Sequence, residues 1–102
     1  MLKQVENSKI INEDEGITIE IMNLDTICYM HNLHRINIYY DRIKQDNGDF
    51  NIYIDLEDVT TWDSPKNEII SYKSANIMYN NILETLEILG LEGEIHWPNF
   101  QK

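Results

Sequence analysis

Polar and apolar residues alternate through most of the first 56 positions, and the phase of that alternation marks out strands. Ile17, Ile19 and Ile21 alternate with Thr18, Glu20 and Met22, the period of two expected of a half-buried strand. A second run over 26–31 places Ile27, Tyr29 and His31 on one face. In the third, over 35–44, Ile36, Ile38 and Tyr40 point one way and Arg35, Asn37, Tyr39 and Asp41 the other. Asn47-Gly48 then predicts a type I′ turn, whose two central residues need positive φ. Beyond it Phe50, Ile52, Ile54 and Leu56 alternate with Asn51, Tyr53 and Asp55, so residues 35–56 read as a hairpin. Residues 59–62 add a short strand before Asp63-Ser64-Pro65 turns the chain.

At Ser71 the period changes. Ala75, Met78, Ile82, Leu86 and Leu89 recur at spacings of three and four, with Ile77, Tyr79 and Leu83 widening the stripe, which predicts an amphipathic helix. Ser71 or Ser74 caps its start and Gly90 supplies a left-handed residue at its end. Leu91, Gly93, Ile95 and Trp97 then alternate with Glu92, Glu94 and His96 in a closing strand that Pro98 stops. Residues 1–16 are polar apart from Ile10 and Ile11 and receive no element. The expected fold is α+β: an antiparallel sheet of about four to six strands, one long C-terminal amphipathic helix packed on one face, and a final strand.

Length and charge narrow the class. The 102 residues make one domain, 1–102, and 42% hydrophobic content with ten aromatics is enough for an ordinary core. Eighteen acidic against eight basic residues leave a net charge of −10. That charge disfavours nucleic acid and anionic membrane, both polyanions, and favours a basic protein partner steered in by the field. The single Cys28 makes no internal disulfide and, in an apolar strand, reads as a small buried hydrophobe. Neither a signal core nor a membrane-length apolar run occurs, so the chain reads as cytoplasmic.

Candidate catalytic groups do not assemble. His31 and His34 are three apart at a strand end, a spacing that places them on opposite faces. His96 has no local partner, and no phosphate-cradling or nucleophile motif is present. With eighteen carboxylates, a pair such as Asp55 and Asp58 is unavoidable and carries no chemistry by itself. The reading is a non-enzymatic chain without metal or cofactor. The broad apolar stripe of the helix is compatible with a monomer or a homodimer. Trp97 lies on the apolar side of its strand and belongs to the core. Trp62 stands in a polar loop, where it either covers the end of the helix or anchors an interface.

Between Gln45 and Pro65 six carboxylates (Asp46, Asp49, Asp55, Glu57, Asp58 and Asp63) occur without a lysine or arginine. Within this stretch, Asn51-Ile52-Tyr53-Ile54-Asp55 followed by Thr61-Trp62-Asp63-Ser64-Pro65 resembles the strand and W-D-x-P turn of small bacterial immunity proteins of the immunity protein 74 type. The helix from Asn80 to Gly90 and the Glu94-Ile95 strand are similar too, so the likeness spans residues 34–97, with Lys66 standing where the family carries a second proline. The resemblance implies a protein that neutralises a cognate toxin domain in the producing cell by binding alone. On that reading Asp55, Glu57, Asp58 and Asp63 form an anionic rim around Trp62. Two other classes also fit an acidic binding domain: a polyanion mimic that inhibits a nucleic-acid-binding protein, and a small structural or accessory subunit.

Overall fold

The eleven-residue strand β5 (His34–Lys44) organises the sheet, because its two halves pair with different neighbours. In the computed structural model, which describes residues 2–6, 9–23, 25–48 and 50–97, the strands lie side by side in chain order. They are β1 (Lys3–Glu6), β2 (Lys9–Asn12), β3 (Ile17–Asn23), β4 (Thr26–His31), β5, β6 (Phe50–Asp55) and β7 (Glu92–His96). The helix α1 (Tyr72–Ile88) comes between β6 and β7 in the chain. The fold is α+β: a seven-stranded, curled, mostly antiparallel sheet with one C-terminal helix and a final strand.

Three features depart from the sequence expectation. The strand count exceeds four to six because residues 1–16 supply β1 and β2, each only four residues long. Runs that short carry too few alternations to register as a period, yet Ile10 pairs with Ile19 and is fully buried. Secondly, β7 runs parallel to β6. The intervening helix carries the chain back before the last strand, and such a crossover makes a parallel pair possible. Thirdly, the Asn47-Gly48 turn is not a two-residue type I′ connection. Lys44 pairs with Phe50, the Gly48 N–H donates to the Gln45 carbonyl at 3.0 Å, and of the two only Gly48 has positive φ. A two-residue connection is found instead at Asn32 and Leu33, between the paired His31 and His34, where Asn32 takes φ 56°.

The inner face of the sheet is mostly isoleucine around one tyrosine. Ile10, Ile19, Tyr29 and Ile36 stand in one cross-strand row, followed by Ile27 against Ile38. Ile52 and Ile54 continue this face into β6 and are 3% and 0% exposed. Helix α1 lays Ala75, Met78, Ile82 and Leu86 into the core, the predicted stripe. Ser71 is its N-cap, accepting from the Ser74 N–H at 3.1 Å, and Gly90 follows the C-cap at φ 71°. Gly93 sits where the helix crosses β7. A Cβ there would lie 2.8 Å from the Ile52 carbonyl oxygen and 2.9 Å from Leu86 Cδ1, so only glycine lets helix and strand approach this closely.

The segment between β6 and α1 fills a gap in the sheet. β6 reaches only as far as Tyr40 along β5. Beside the earlier half of β5, Arg35 exchanges backbone bonds with Asp63 and Ser64 at 2.8–3.1 Å. The Asp63 carboxylate also accepts from the Asn37 N–H at 2.8 Å. The expected strand over 59–62 is therefore reduced to an isolated bridge between Thr61 and Ile69.

Candidate functional site

The register of the last three strands assembles a surface that no single stretch of sequence displays. On the face of β5–β6–β7 opposite the core, Asp41 pairs with Tyr53 and Tyr53 with Glu94. The next row comprises Ile43, Asn51 and Glu92; on the other side Asp55 pairs with His96, with Tyr39 alongside. These nine positions carry four carboxylates and no lysine or arginine. Tyr53 is thus a central aromatic with Asp41 and Glu94 directly across its two flanking strands. Tyr39 and Ile43 are 68% and 49% exposed, so apolar surface lies among the carboxylates.

Electrostatics and shape agree on Tyr53 as the centre. Its phenol is pushed above its ordinary pKa first by packing against the sheet and then by the carboxylates of Asp55, Glu94, Glu57 and Asp41, all of which disfavour the phenolate. A recess lies on each side of the ring. One, of about 300 Å³, is bounded by Asp25, Tyr39, Asp41 and Asp55. The other, of about 200 Å³, is bounded by Ile43, Asn51 and Glu94. Each has the volume for a cationic side chain, whose stem can lie on an aromatic face while its charge meets carboxylates.

The five residues marked in the sequence separate into two groups. Asp55 and Glu57 belong to the Tyr53 face, where the Asp55 carboxylate accepts from the Glu57 N–H at 3.0 Å. Asp58 is exposed in the turn that follows. Trp62 is 3% exposed, in the core. Its ring stacks on Tyr29 at 6.3 Å between centroids and meets the His34 ring at 4.9 Å. Trp62 therefore presents no surface for a carboxylate rim, and Asp63 beside it is engaged with the β5 backbone. The tryptophan is buried because its loop completes the sheet beside Arg35, which turns the ring inward. Asp41, Tyr53 and Glu94 were missed as a group. Their common signal was the polar phase of each strand's alternation, and the neighbours it needed lie 12 and 41 residues apart.

The histidines also correct the sequence reading. The two-residue turn folds His31 directly across from His34, so they share a face instead of taking opposite ones. His34 contacts Glu68 through Nε2. Among the described residues no three His, Cys, Asp or Glu side chains are grouped to hold a metal ion. Cys28 is buried, and burial pushes its thiol pKa up, as suits a packing residue better than a nucleophile. Trp97 is in the core, with its indole N–H donating to the Val59 carbonyl at 3.3 Å.

No helix among the described residues is long and apolar enough to cross a membrane. No protein-family model matches the chain, and no curated protein or solved structure is significantly similar to it. The likeness to immunity proteins therefore rests on the residues quoted for it.

Proposed function

We propose that this chain is a cytoplasmic immunity protein that neutralises a cognate bacterial toxin domain by tight, non-catalytic binding. The observation that carries the reading is the Tyr53 face: an uncovered sheet surface with a central aromatic, exposed Tyr39 and Ile43, and carboxylates without a compensating lysine or arginine. An inhibitor of this kind needs no reaction centre. It needs fast capture and slow release. The net charge of −10 supplies steering toward a basic domain. Exposed aromatic and aliphatic side chains within a polar rim, covered once the partner is bound, supply the slow step, because water-excluded anchors dominate dissociation. Asp55 and Glu57 keep the role the sequence assigned them, and Tyr53 takes the anchoring place assigned there to Trp62.

The test is affinity capture from the native cells with the tagged full chain, at low and then raised salt, beside the variant Asp41→Lys/Glu94→Lys. The reading expects one basic toxin domain, captured more slowly in salt and lost in the variant. Capture of a DNA-binding protein that free DNA displaces would replace the reading with polyanion mimicry. Equal capture by the variant would remove the Tyr53 face from it.

A further inference from the structure

The sheet ends at β7, and among the described residues this edge is open. Among the described residues β7 pairs with β6 alone, and no bridge from elsewhere reaches it. The direction of its backbone groups follows from one bond. The Leu56 N–H donates to the His96 carbonyl at 2.8 Å, so His96 faces β6. Since alternate residues of a strand direct their N–H and C=O to opposite edges, Glu92 and Glu94 also face β6, while Gly93 and Ile95 direct theirs outward. An exposed row of this kind is a template for one more strand, and native sheets commonly block it with charged side chains, proline or a bulge. β7 carries no lysine, proline or bulge, and its two glutamates oppose an acidic or uncharged strand more than a basic one.

The side chains bordering the edge define what would fit it. On the outer face stand the exposed Glu92 and Glu94, continuous with the Tyr53 surface. On the helix side Leu89, Leu91 and Ile95 are only partly buried and Ile88 is 39% exposed, so apolar surface there remains uncovered. A second copy pairing antiparallel over the full length of its own β7 would set Glu94 against Glu94, which is unfavourable for directly opposed residues.

We propose that the β7 edge accepts an extended strand of the bound protein, one that alternates basic and aliphatic residues, with Gly93 and Ile95 as its backbone partners. The inference rests on the reading of the chain as an inhibitor of a basic protein and specifies how that protein is held. Basic side chains of the added strand lie beside Glu92 and Glu94. Its aliphatic ones extend the core over Ile95 and Leu91. Main-chain bonds give affinity and the alternation gives selectivity.

The probe is a capped peptide of alternating valine and lysine, added to the full chain, with amide hydrogen exchange followed residue by residue. At saturating peptide the Gly93 and Ile95 amides slow by about tenfold or more, while Glu92, Glu94 and His96, already bonded to β6, change little. Methylating alternate backbone nitrogens of the peptide abolishes the effect. Perturbation of Tyr53 and Asp41 with no slowing at Gly93 and Ile95 would overturn the edge assignment and leave the acidic face standing. Equal protection by a valine–glutamate peptide would overturn the charge argument. Protection that grows with chain concentration in the absence of peptide would assign the edge to a second copy. Clear protection by the peptide, with no basic protein captured from cells, would keep the edge as a strand acceptor and discard the toxin.

Discussion

The two faces of β6 are built from alternate residues of one strand, and they bear opposite consequences. Ile52 and Ile54 face inward, under α1, with 3% and 0% of their surface exposed. Asn51, Tyr53 and Asp55 face outward between Asp41 and Glu94. The inner face has little tolerance for a change in shape, since its neighbours are close-packed. The outer face has wide tolerance for folding, because its charges remain in water. On the proposed reading, stability and recognition are separated by a single residue of register, and substitutions on one face should leave the other's property intact.

The largest effect that would test this separation is on the buried side. Trp62→Ala removes a ring stacked on Tyr29 and should cost about 3–5 kcal/mol, read from denaturant unfolding. If Trp62 were a surface anchor the same substitution would leave the midpoint nearly unchanged. Gly93→Ala comes next. Its Cβ meets Ile52 backbone and Leu86 at 2.8 and 2.9 Å, and the forced separation of helix and strand should cost about 1–3 kcal/mol.

Tyr29 sharpens the comparison through pH. Its hydroxyl is buried without a hydrogen-bond partner among the described residues, and burial, with Glu15 adding to it, pushes the phenol far above its ordinary value near 10. A phenol that ionises in the unfolded chain but not in the folded one contributes stability below pH ~10, and that stability is lost as pH rises further. Tyr29→Phe should therefore flatten the alkaline decline in stability. Below pH 9 its effect should be neutral or slightly stabilising, since an unsatisfied hydroxyl has been removed. A steeper alkaline decline in the variant would contradict this. The smallest effect belongs to the outer face: Asp41→Asn/Glu94→Gln should shift unfolding by no more than about 0.5 kcal/mol, toward greater stability because like charges are relieved.

Much of this architecture was legible in the alternation of residues. The strands over 17–22, 26–31, 35–44 and 50–56, the helix with its Ser71 cap and the inward side of each follow from periods of two and 3.6. Neighbour relations were not legible. Period says which residues share a face of one strand and nothing about which strand lies beside it, so β7's parallel return and the Asp41–Tyr53–Glu94 row could not be read. Trp62 illustrates the same limit. Its loop has the composition of an exposed turn, Thr61 to Pro65, and only the unfilled edge of β5 beside Arg35 draws it into the sheet. Asn47-Gly48 had turn chemistry, but of the two only Gly48 takes positive φ.

The most direct measurement pairs unfolding midpoint with capture of a basic partner protein in two variants, Asp41→Lys/Glu94→Lys and Trp62→Phe. The account predicts a near-native midpoint and lost capture for the first, and a lowered midpoint with capture retained below it for the second. Retained capture in the first variant together with lost capture in a folded second one would contradict it, and return recognition to the tryptophan loop.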